Sequence, residues 1–370
     1  MVFNSIFFIF CFLPVFMLIY YLVPGKLRNL LLFLGSLIFY AWGEPVYVIL
    51  MLFSSIFNYY MGTELERLYY DDRKQKINLI FSIIINLAVL VFFKYYGFLL
   101  NTIGGIIGIH IPHPELSLPI GLSFYTFRNL SYLFDIYLSK VSAQRNFLTF
   151  AVYSTMFPYT SAGPIVRYTD IETQLKQRTI NISKFGIGAE LFVKGLAKKV
   201  LLADNLSVLY SSICGHPQMS VFTSWLGILA YTMQLYFDFS GYSDMAIGLG
   251  KMLGFDFNKN FDYPYISTSV SEFWRRWHIS LGSWFRDYIY IPLGGNRVST
   301  LKHIRNILVV WALTGLWHGA SWNFVLWGVY YGLFLLLEKF VLQKYLKKIP
   351  SWLCTCLLYT SPSPRDKRQS

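Results

Sequence analysis

Residues 77–93 read Ile77-Asn-Leu-Ile-Phe-Ser-Ile-Ile-Ile-Asn-Leu-Ala-Val-Leu-Val-Phe-Phe93 and contain no charged side chain. They belong to an apolar stretch that extends from Ile77 to Ile109. A helix needs about 20 mostly apolar residues to cross the hydrocarbon core of a bilayer. The stretch therefore predicts a membrane-spanning helix, which crosses once as a long element kinked around Lys94-Tyr95-Tyr96.

The composition of the whole chain excludes the water-soluble classes of protein. Hydrophobic residues make up 55% of the 370 residues and charged residues only 14%, whereas soluble domains carry about 25% charged residues. Aromatic residues make up 19%, too many for a disordered chain. The net charge is +13, and the basic residues lie in short gaps between apolar runs. This placement indicates membrane topology and not a nucleic-acid ligand. An all-α polytopic membrane protein is predicted.

The other apolar stretches set the number of membrane crossings at about eight to eleven, by the length that a crossing requires. They are Val2–Val23, Leu27–Trp42, Val46–Met61, Leu118–Leu138, Gly186–Ile213, Val221–Met252, Ile304–Trp317 and Trp322–Leu342. Basic residues concentrate at 67–76 and 167–184, which places these loops in the cytoplasm, while the loop at 110–117 lacks Lys and Arg and faces out. The stretch Phe147–Gly163, interrupted by Pro158, begins and ends inside and is interpreted as re-entrant.

The chain forms one predicted membrane domain over residues 1–358. No internal repeat or linker divides it. We expect this domain to be truncated at its C-terminal end, and residues 359–370 are interpreted as an unstructured polar tail, either a disordered cytoplasmic end or a segment extraneous to the domain. The cysteines and histidines do not fall at the spacings of a disulfide framework or a zinc site. No bound metal is predicted.

Polar residues inside the stretch Val221–Met252 form the first candidate site. A charged group at membrane depth is costly, so it needs a partner, a wet cavity or a function. Asp238 and Ser240 lie there with Asp244, which shares no helical face with Asp238 unless Gly241 breaks the helix. They line a substrate cavity or belong to a hydrogen-bonded network between helices, and the sequence leaves both readings open.

The segment from Ser269 to Tyr288 is predicted to form one amphipathic helix at the cytoplasmic interface. Ser269 and Glu272 have the spacing of a capping box at its start. A polar stripe would contain Arg276, Ser280, Ser283 and Asp287. His278 falls off this stripe on the apolar side, where a histidine is either a packed structural residue or a catalytic one.

The loop that follows contains Gly294, Gly295, Asn296 and Arg297. The two glycines allow a tight turn that presents backbone N–H groups and a guanidinium to a phosphate. A simple loop at the membrane surface is the alternative.

His318 is the strongest catalytic candidate from the residues alone. It lies deep in apolar sequence between Trp317 and Trp322, with small residues nearby that allow close approach of a backbone or a narrow ligand. Desolvation favours a neutral imidazole, which is the form that accepts a proton from a hydroxyl.

Three long motifs around these histidines resemble the membrane-bound O-acyltransferase family. They are Phe273-Trp-Arg-Arg-Trp-His-Ile-Ser-Leu281, Arg286-Asp-Tyr-Ile-Tyr-Ile-Pro-Leu-Gly-Gly-Asn-Arg297 and Leu313-Thr-Gly-Leu-Trp-His-Gly-Ala-Ser-Trp-Asn-Phe324. The branch is similar to the alginate O-acetyltransferase membrane subunit, and the resemblance extends from the first residue to about Glu338.

The resemblance implies a ring of transmembrane and re-entrant helices around a central tunnel. His318 matches the central catalytic histidine of the family and His278 its second polar position. The predicted substrate pocket contains Trp317, Trp322, Asp238, Ser240, Arg276, Asn296 and Arg297. The implied donor is acetyl-CoA or a related cytoplasmic acyl thioester, with no bound cofactor.

The implied setting is the inner membrane of a bacterium. There an extracytoplasmic acyltransferase partner passes the acyl group to an exported polysaccharide. O-acetylation of peptidoglycan or another envelope glycan, and D-alanyl transfer to teichoic acid, are alternatives, although the loop 291–297 favours the polysaccharide branch. From another class, an ion or lipid transporter would show repeated halves, whereas the polar motifs here gather in the C-terminal half.

Overall fold

The computed structural model describes residues 1–114, 116–216 and 220–346, and every regular element in this part of the chain is helical. The α-helices are α1 (Leu13–Leu22), α2 (Arg28–Ala41), α3 (Val48–Arg67), α4 (Asp72–Ile107), α5 (Leu122–Tyr137), α6 (Phe147–Thr155), α7 (Phe157–Thr160), α8 (Tyr168–Lys176), α9 (Ile182–Ala197), α10 (Asp204–Cys214), α11 (Val221–Met252), α12 (Val270–Arg276), α13 (Ile279–Phe285), α14 (Thr300–His318), α15 (Trp322–Leu337) and α16 (Gln343–Leu346). π-helical segments are found at Phe8–Phe12, Lys198–Ala203, Arg286–Tyr290 and Glu338–Leu342, and 3₁₀ turns at Gly25–Leu27 and Pro264–Ile266. The all-α prediction is confirmed for these residues, and the predicted tail at 359–370 lies outside them.

Within the described residues, three helical segments are long and apolar enough to cross a membrane: α3, α4 and Trp322–Leu342. The 36 residues of α4 form one helix that is continuous through Lys94. Large apolar side chains on α4 point outward, with Ile84 57% and Ile106 80% exposed. Contiguous exposed apolar surface is unfavourable in water and suits a lipid environment. These helices support a membrane location.

The described chain groups into two compact units. The first comprises Met1–Ser82 and Ile120–Asn258, and the second comprises Ile83–Pro119 and the chain from Lys259 onward. The division falls inside α4, so this helix contributes to both units. The single domain over 1–358 remains a prediction.

In the first unit, α9 and α11 cross at two pairs of glycines. A Cβ atom added to Gly195 would lie 2.5 Å from the carbonyl oxygen of Gly241, and one added to Gly188 would lie 2.6 Å from that of Gly248. Both distances are shorter than any normal contact, so the two backbones touch and no larger side chain fits between them. Gly241 does not break α11. Its role is to allow this close crossing.

The stretch predicted at Phe147–Gly163 forms two short helices, α6 and α7, separated at Met156. Arg128 of α5 is fully buried beside them and donates hydrogen bonds to the carbonyl oxygens of Tyr159 at 2.8 Å and Ser154 at 2.9 Å. The helix break leaves carbonyl groups without intrahelical partners, and the guanidinium satisfies two of them. Arg128 therefore stabilises the interruption, while the re-entrant orientation of this segment remains a prediction.

In the second unit, α14 and α15 also cross through glycine. A Cβ atom on Gly315 would lie 2.3 Å from the carbonyl oxygen of Phe324, and one on Gly328 would lie 2.2 Å from that of Trp311. The last turn of α14 is thus pressed against the first half of α15. This crossing sets the place of His318, the final residue of α14.

Candidate active site

His278 lies at a sharp break between α12 and α13. The backbone of Trp277 is extended, and His278 itself adopts a left-handed conformation with φ 44° and ψ 55°. Such a conformation is strained for a non-glycine residue and is found mostly where the surrounding structure imposes it. The His278 side chain is only 3% exposed, so the break directs its ring into the protein interior.

The single helix predicted from Ser269 to Tyr288 is therefore wrong, and its polar stripe is divided between separate helices. The reason is a partner segment that precedes the helix in sequence. The backbone N–H of Ile279 donates a hydrogen bond to the backbone carbonyl oxygen of Asn260 at 2.9 Å. The backbone N–H of Asp262 donates one to the carbonyl oxygen of Arg276, also at 2.9 Å. These bonds replace the helical hydrogen bonds that are lost at the break.

The side chain of Asn260 fixes the orientation and the tautomer of His278. Its Oδ1 atom accepts hydrogen bonds from the backbone N–H of Ser280 at 3.1 Å and from the hydroxyl of Ser280 at 2.8 Å, and lies 3.1 Å from Nδ1 of His278. The backbone N–H is an obligatory donor, so the amide oxygen and not the amide nitrogen faces this group. Nδ1 of His278 is then the protonated nitrogen, and the imidazole lone pair lies on Nε2.

The burial of His278 also determines its protonation state. Desolvation, and secondly the positive form of the nearby His318, lower the pKa of His278 to about 3. The imidazole is therefore neutral throughout the physiological range. A neutral imidazole with its lone pair on Nε2 is suited to accept a hydrogen bond or a proton.

His318 lies at the C-terminal end of α14 between two indole rings. The ring centroids of Trp317 and Trp327 each lie 4.9 Å from that of His318, at interplanar angles of 77° and 82°. The ring of His278 lies 5.7 Å from that of Trp317. Edge-to-face contacts of this kind are a preferred arrangement of aromatic rings and favour this orientation of the imidazole. Trp317 thus lies in contact with both histidines.

The two histidines line the same cavity, whose volume is about 930 Å³. Its walls come from α12, α13, α14, the end of α15 and the π-helical segments that follow α13 and α15, all in the second unit. The charged residues of the lining are Arg275, Arg286, Lys339 and Glu338. A cavity of this size holds a ligand larger than a single sugar or acyl group, and three of its four charged lining residues are cationic.

Glu338 is a site residue that the sequence interpretation missed. Its carboxylate is 7% exposed and accepts hydrogen bonds from the backbone N–H groups of Val270 at 2.6 Å and Ser271 at 3.2 Å. Ser269 caps the same helix start, as predicted, by accepting from the N–H of Glu272 at 3.0 Å. The start of α12 is therefore fixed both locally and from the end of α15. An acidic residue that closes an apolar stretch was the available signal.

Five predicted pocket residues lie in the second unit without lining the cavity: Trp317, which contacts both histidines, and Arg276, Trp322, Asn296 and Arg297. Arg276 forms ion pairs with Glu272 at 2.9 Å and Asp262 at 3.4 Å. Trp322 begins α15 and is 56% exposed. Asn296 and Arg297 follow Gly294 and Gly295, whose φ angles of 100° and 56° form the tight turn expected from the sequence.

Asp238 and Ser240 belong to the first unit. Asp238 forms an ion pair with Lys199 at 2.7 Å, and Asp244 forms one with Lys198 at 2.6 Å. The hydroxyl oxygen of Ser240 is buried and has no hydrogen-bond partner among the described residues. The two carboxylates thus connect α11 to the π-helical segment after α9, as expected for a network between helices, and neither residue lines the cavity of the histidines.

Comparison with known proteins gives consistent matches over most of the chain. The model of the membrane-bound O-acyltransferase family matches residues 46–348. The chain is 45% identical to the probable alginate O-acetylase AlgI of Pseudomonas aeruginosa, over 92% of the chain and 66% of that protein. It is 44% identical to the protein of the same name from Azotobacter vinelandii, over 92% and 69%.

A third relative acts on a different glycan. The chain is 35% identical to the peptidoglycan O-acetyltransferase of Helicobacter pylori, over 96% of the chain and 75% of that protein. The chain thus spans about two thirds to three quarters of the length of these three relatives.

Proposed function

The chain belongs to the membrane-bound O-acyltransferase family, and from this premise we propose that it is an O-acetyltransferase for an exported polysaccharide such as alginate. The observation that carries the proposal is the pair of histidines on one cavity. The acyl group comes from a cytoplasmic thioester. The similarity to proteins named alginate O-acetylase favours a polysaccharide as the acceptor.

The reaction uses His318 as the general base. His318 takes the proton of the acceptor hydroxyl as the hydroxyl oxygen attacks the carbonyl carbon of the thioester. The carbon–sulfur bond breaks, and the departing thiolate receives the proton from the imidazolium, so that an ester and a free thiol result. His278 positions the acyl donor by accepting a hydrogen bond at Nε2, since its Nδ1–H is directed at Asn260.

The charge of the cavity suits a phosphorylated donor such as acetyl-CoA. Arg275, Arg286 and Lys339 line it, and guanidinium and ammonium groups are the usual partners of phosphate oxygens. Arg286 already pairs with Asp287 at 2.7 Å, so Arg275 and Lys339 are the better candidates. Lys339 also lies 3.3 Å from Nε2 of His303.

The wider arrangement follows the family. We place the cavity within a ring of helices around a tunnel, in a protein that crosses the bacterial inner membrane several times. The ester formed on the first acceptor hydroxyl is then the acyl source from which an extracytoplasmic acyltransferase partner transfers the acyl group to a hydroxyl of the glycan. The apolar helices with outward-facing side chains support the membrane-spanning part of this proposal.

The identity of the acceptor polymer is tested by deleting the gene in its own host and restoring it on a plasmid. We expect the O-acetyl ester content of the exported polysaccharide to fall at least several-fold in the deletion strain and to recover on restoration. Loss of O-acetyl esters from peptidoglycan, or of D-alanine from teichoic acid, would assign the alternative acceptors instead. If the ester content of all three polymers is unchanged and an ion or lipid flux is lost, the proposed acyltransferase function is wrong and the protein is a transporter.

The role of Asn260 gives a second prediction. Asn260→Ala removes the oxygen that holds the His278 tautomer, so transfer is expected to fall by about 10–10²-fold, by analogy with the loss when the partner that orients a metal-binding histidine is removed. Asn260→Asp keeps an oxygen acceptor at the same place and should retain much more activity. Steady-state transfer rates of the two variants in membrane vesicles give the comparison, and full activity in Asn260→Ala would contradict the assigned tautomer.

A further inference from the structure

Lys94 is a buried cation in the middle of an apolar helix. It belongs to α4, and its exposed fraction is 9%. An ammonium group at this depth is unfavourable unless polar groups surround it, so such residues usually have a functional role. Lys94 lies in the same compact unit as the two histidines.

The polar partners of this part of α4 are at the end of α14. The ammonium group of Lys94 donates a hydrogen bond to the carbonyl oxygen of Trp317. The hydroxyl of Tyr95 donates to the carbonyl oxygen of Leu316 at 2.5 Å. Two consecutive residues of α4 therefore bind two consecutive carbonyls, immediately before His318.

These carbonyls have a specific need for donors. The last four carbonyl groups of an α-helix have no intrahelical partner, and the helix dipole makes a cation near them favourable. The chain turns away at Gly319, whose N–H reaches back only to Gly315 at 3.4 Å. Without Lys94 and Tyr95, the carbonyls of Leu316 and Trp317 would lose these donors in an apolar environment.

The last turn of α14 is held from a second direction by the glycine crossing with α15. A side chain at position 315 would collide with the backbone of Phe324, because a Cβ atom on Gly315 would lie 2.3 Å from the carbonyl oxygen of Phe324. The turn that ends in His318 thus lies between α4, which supplies hydrogen bonds, and α15, which supplies backbone contact.

We propose that Lys94 and Tyr95 are positioning residues for the catalytic base, holding the last turn of α14 so that the His318 ring keeps its place in the cavity. The proposal rests on the function assigned to His318 above. A displacement of a reacting group by about 1 Å costs on the order of 10²-fold in rate. Removal of either side chain should therefore act on the chemical step and leave donor binding intact.

The test compares Lys94→Met, Lys94→Arg and Tyr95→Phe with Tyr96→Phe as the matched control, because Tyr96 is the next residue of the same helix. Transfer from acetyl-CoA is measured with the full-length protein in membrane vesicles of its host, with alginate as the added acceptor. We expect kcat to fall about 10²-fold in Lys94→Met and about 10-fold in Tyr95→Phe, with KM for acetyl-CoA within about threefold of the parent. Lys94→Arg should recover part of the loss, and Tyr96→Phe should match the parent.

A readout independent of turnover separates this proposal from the proposed function. Hydrogen exchange of the amides at 318–321 should be faster in Lys94→Met and unchanged in Tyr96→Phe. Normal kcat and normal exchange in folded Lys94→Met and Tyr95→Phe would overturn the positioning role. Faster exchange with unchanged transfer, in a protein whose His318→Ala variant is also active, would instead overturn the catalytic assignment of His318. If Lys94→Met does not fold, Tyr95→Phe and Lys94→Arg decide the question by the same measurements.

Discussion

Replacing His318 by Ala or Gln is expected to lower acyl transfer by about 10²–10⁴-fold, because general-base assistance contributes a factor of this size. Gln keeps hydrogen-bonding capacity but cannot take up a proton at neutral pH. Both variants should therefore be equally inactive. Trp317 also contacts His278 and Trp327 also contacts Tyr331, so we expect both indoles to stay in place and the loss to reflect chemistry and not collapse of the site.

The measurement is the O-acetyl ester content of the polysaccharide in strains that produce equal amounts of each variant. His113→Ala is the control, since His113 packs on Tyr96 with ring centroids 6.0 Å apart and does not line the cavity. We expect His278→Ala to be milder than His318→Ala and to act mainly on the KM for the acyl donor. Nearly normal acetylation in a well-expressed His318→Ala strain would remove the catalytic role of His318.

Gly195→Leu should strongly destabilise the first unit. The added side chain would begin 2.5 Å from the carbonyl oxygen of Gly241 and 2.7 Å from the backbone nitrogen of Met245. Backbone atoms cannot move aside as a flexible side chain does, so α9 and α11 must separate. Overpacking of well-packed sites costs about 1–3 kcal/mol. Because the clash here is with backbone atoms, its free-energy cost should lie at or above the upper end of this range. Such a cost is a large share of the total stability of most proteins.

Gly186→Leu is a matched control on the same helix, because no atom lies within 4 Å of a Cβ placed at Gly186. Monodisperse protein after detergent extraction, measured by fluorescence-detected size-exclusion chromatography, reports folding for both variants. We expect most of the folded fraction to be lost in Gly195→Leu and little change in Gly186→Leu. Equal yields would show that α9 and α11 do not cross at this point in the membrane.

The segment around His278 shows how far local sequence signals extend. The capping serine at Ser269 was predictable, because a helix cap involves residues three apart in sequence. The break at His278 was not predictable, since the periodicity of polar and apolar residues continues through it. The break is stabilised by Asn260, which lies 18 residues away, and no local pattern records that contact.

The carboxylates of α11 show a different limit. The sequence left open whether Asp238 lines a cavity or joins two helices, because both roles place a polar residue in an apolar stretch. The ion pair between Asp238 and Lys199 favours the role in joining two helical segments. Lys199 lies in a separate apolar stretch, and spacing along the chain contains no information about which of two distant charges will meet.

Apolar run length, composition and family motifs by themselves determined the class of this protein and its helical structure, and they singled out both histidines as candidates for the site. Hydropathy is a property of each segment alone, so it can be read without knowing what the segment touches. Only the tertiary structure decided which side chains surround the histidines. Lys94 binds a carbonyl 223 residues away, and Glu338 binds two N–H groups. Every residue except proline offers the same backbone groups, so the sequence cannot identify these partners; packing selects them.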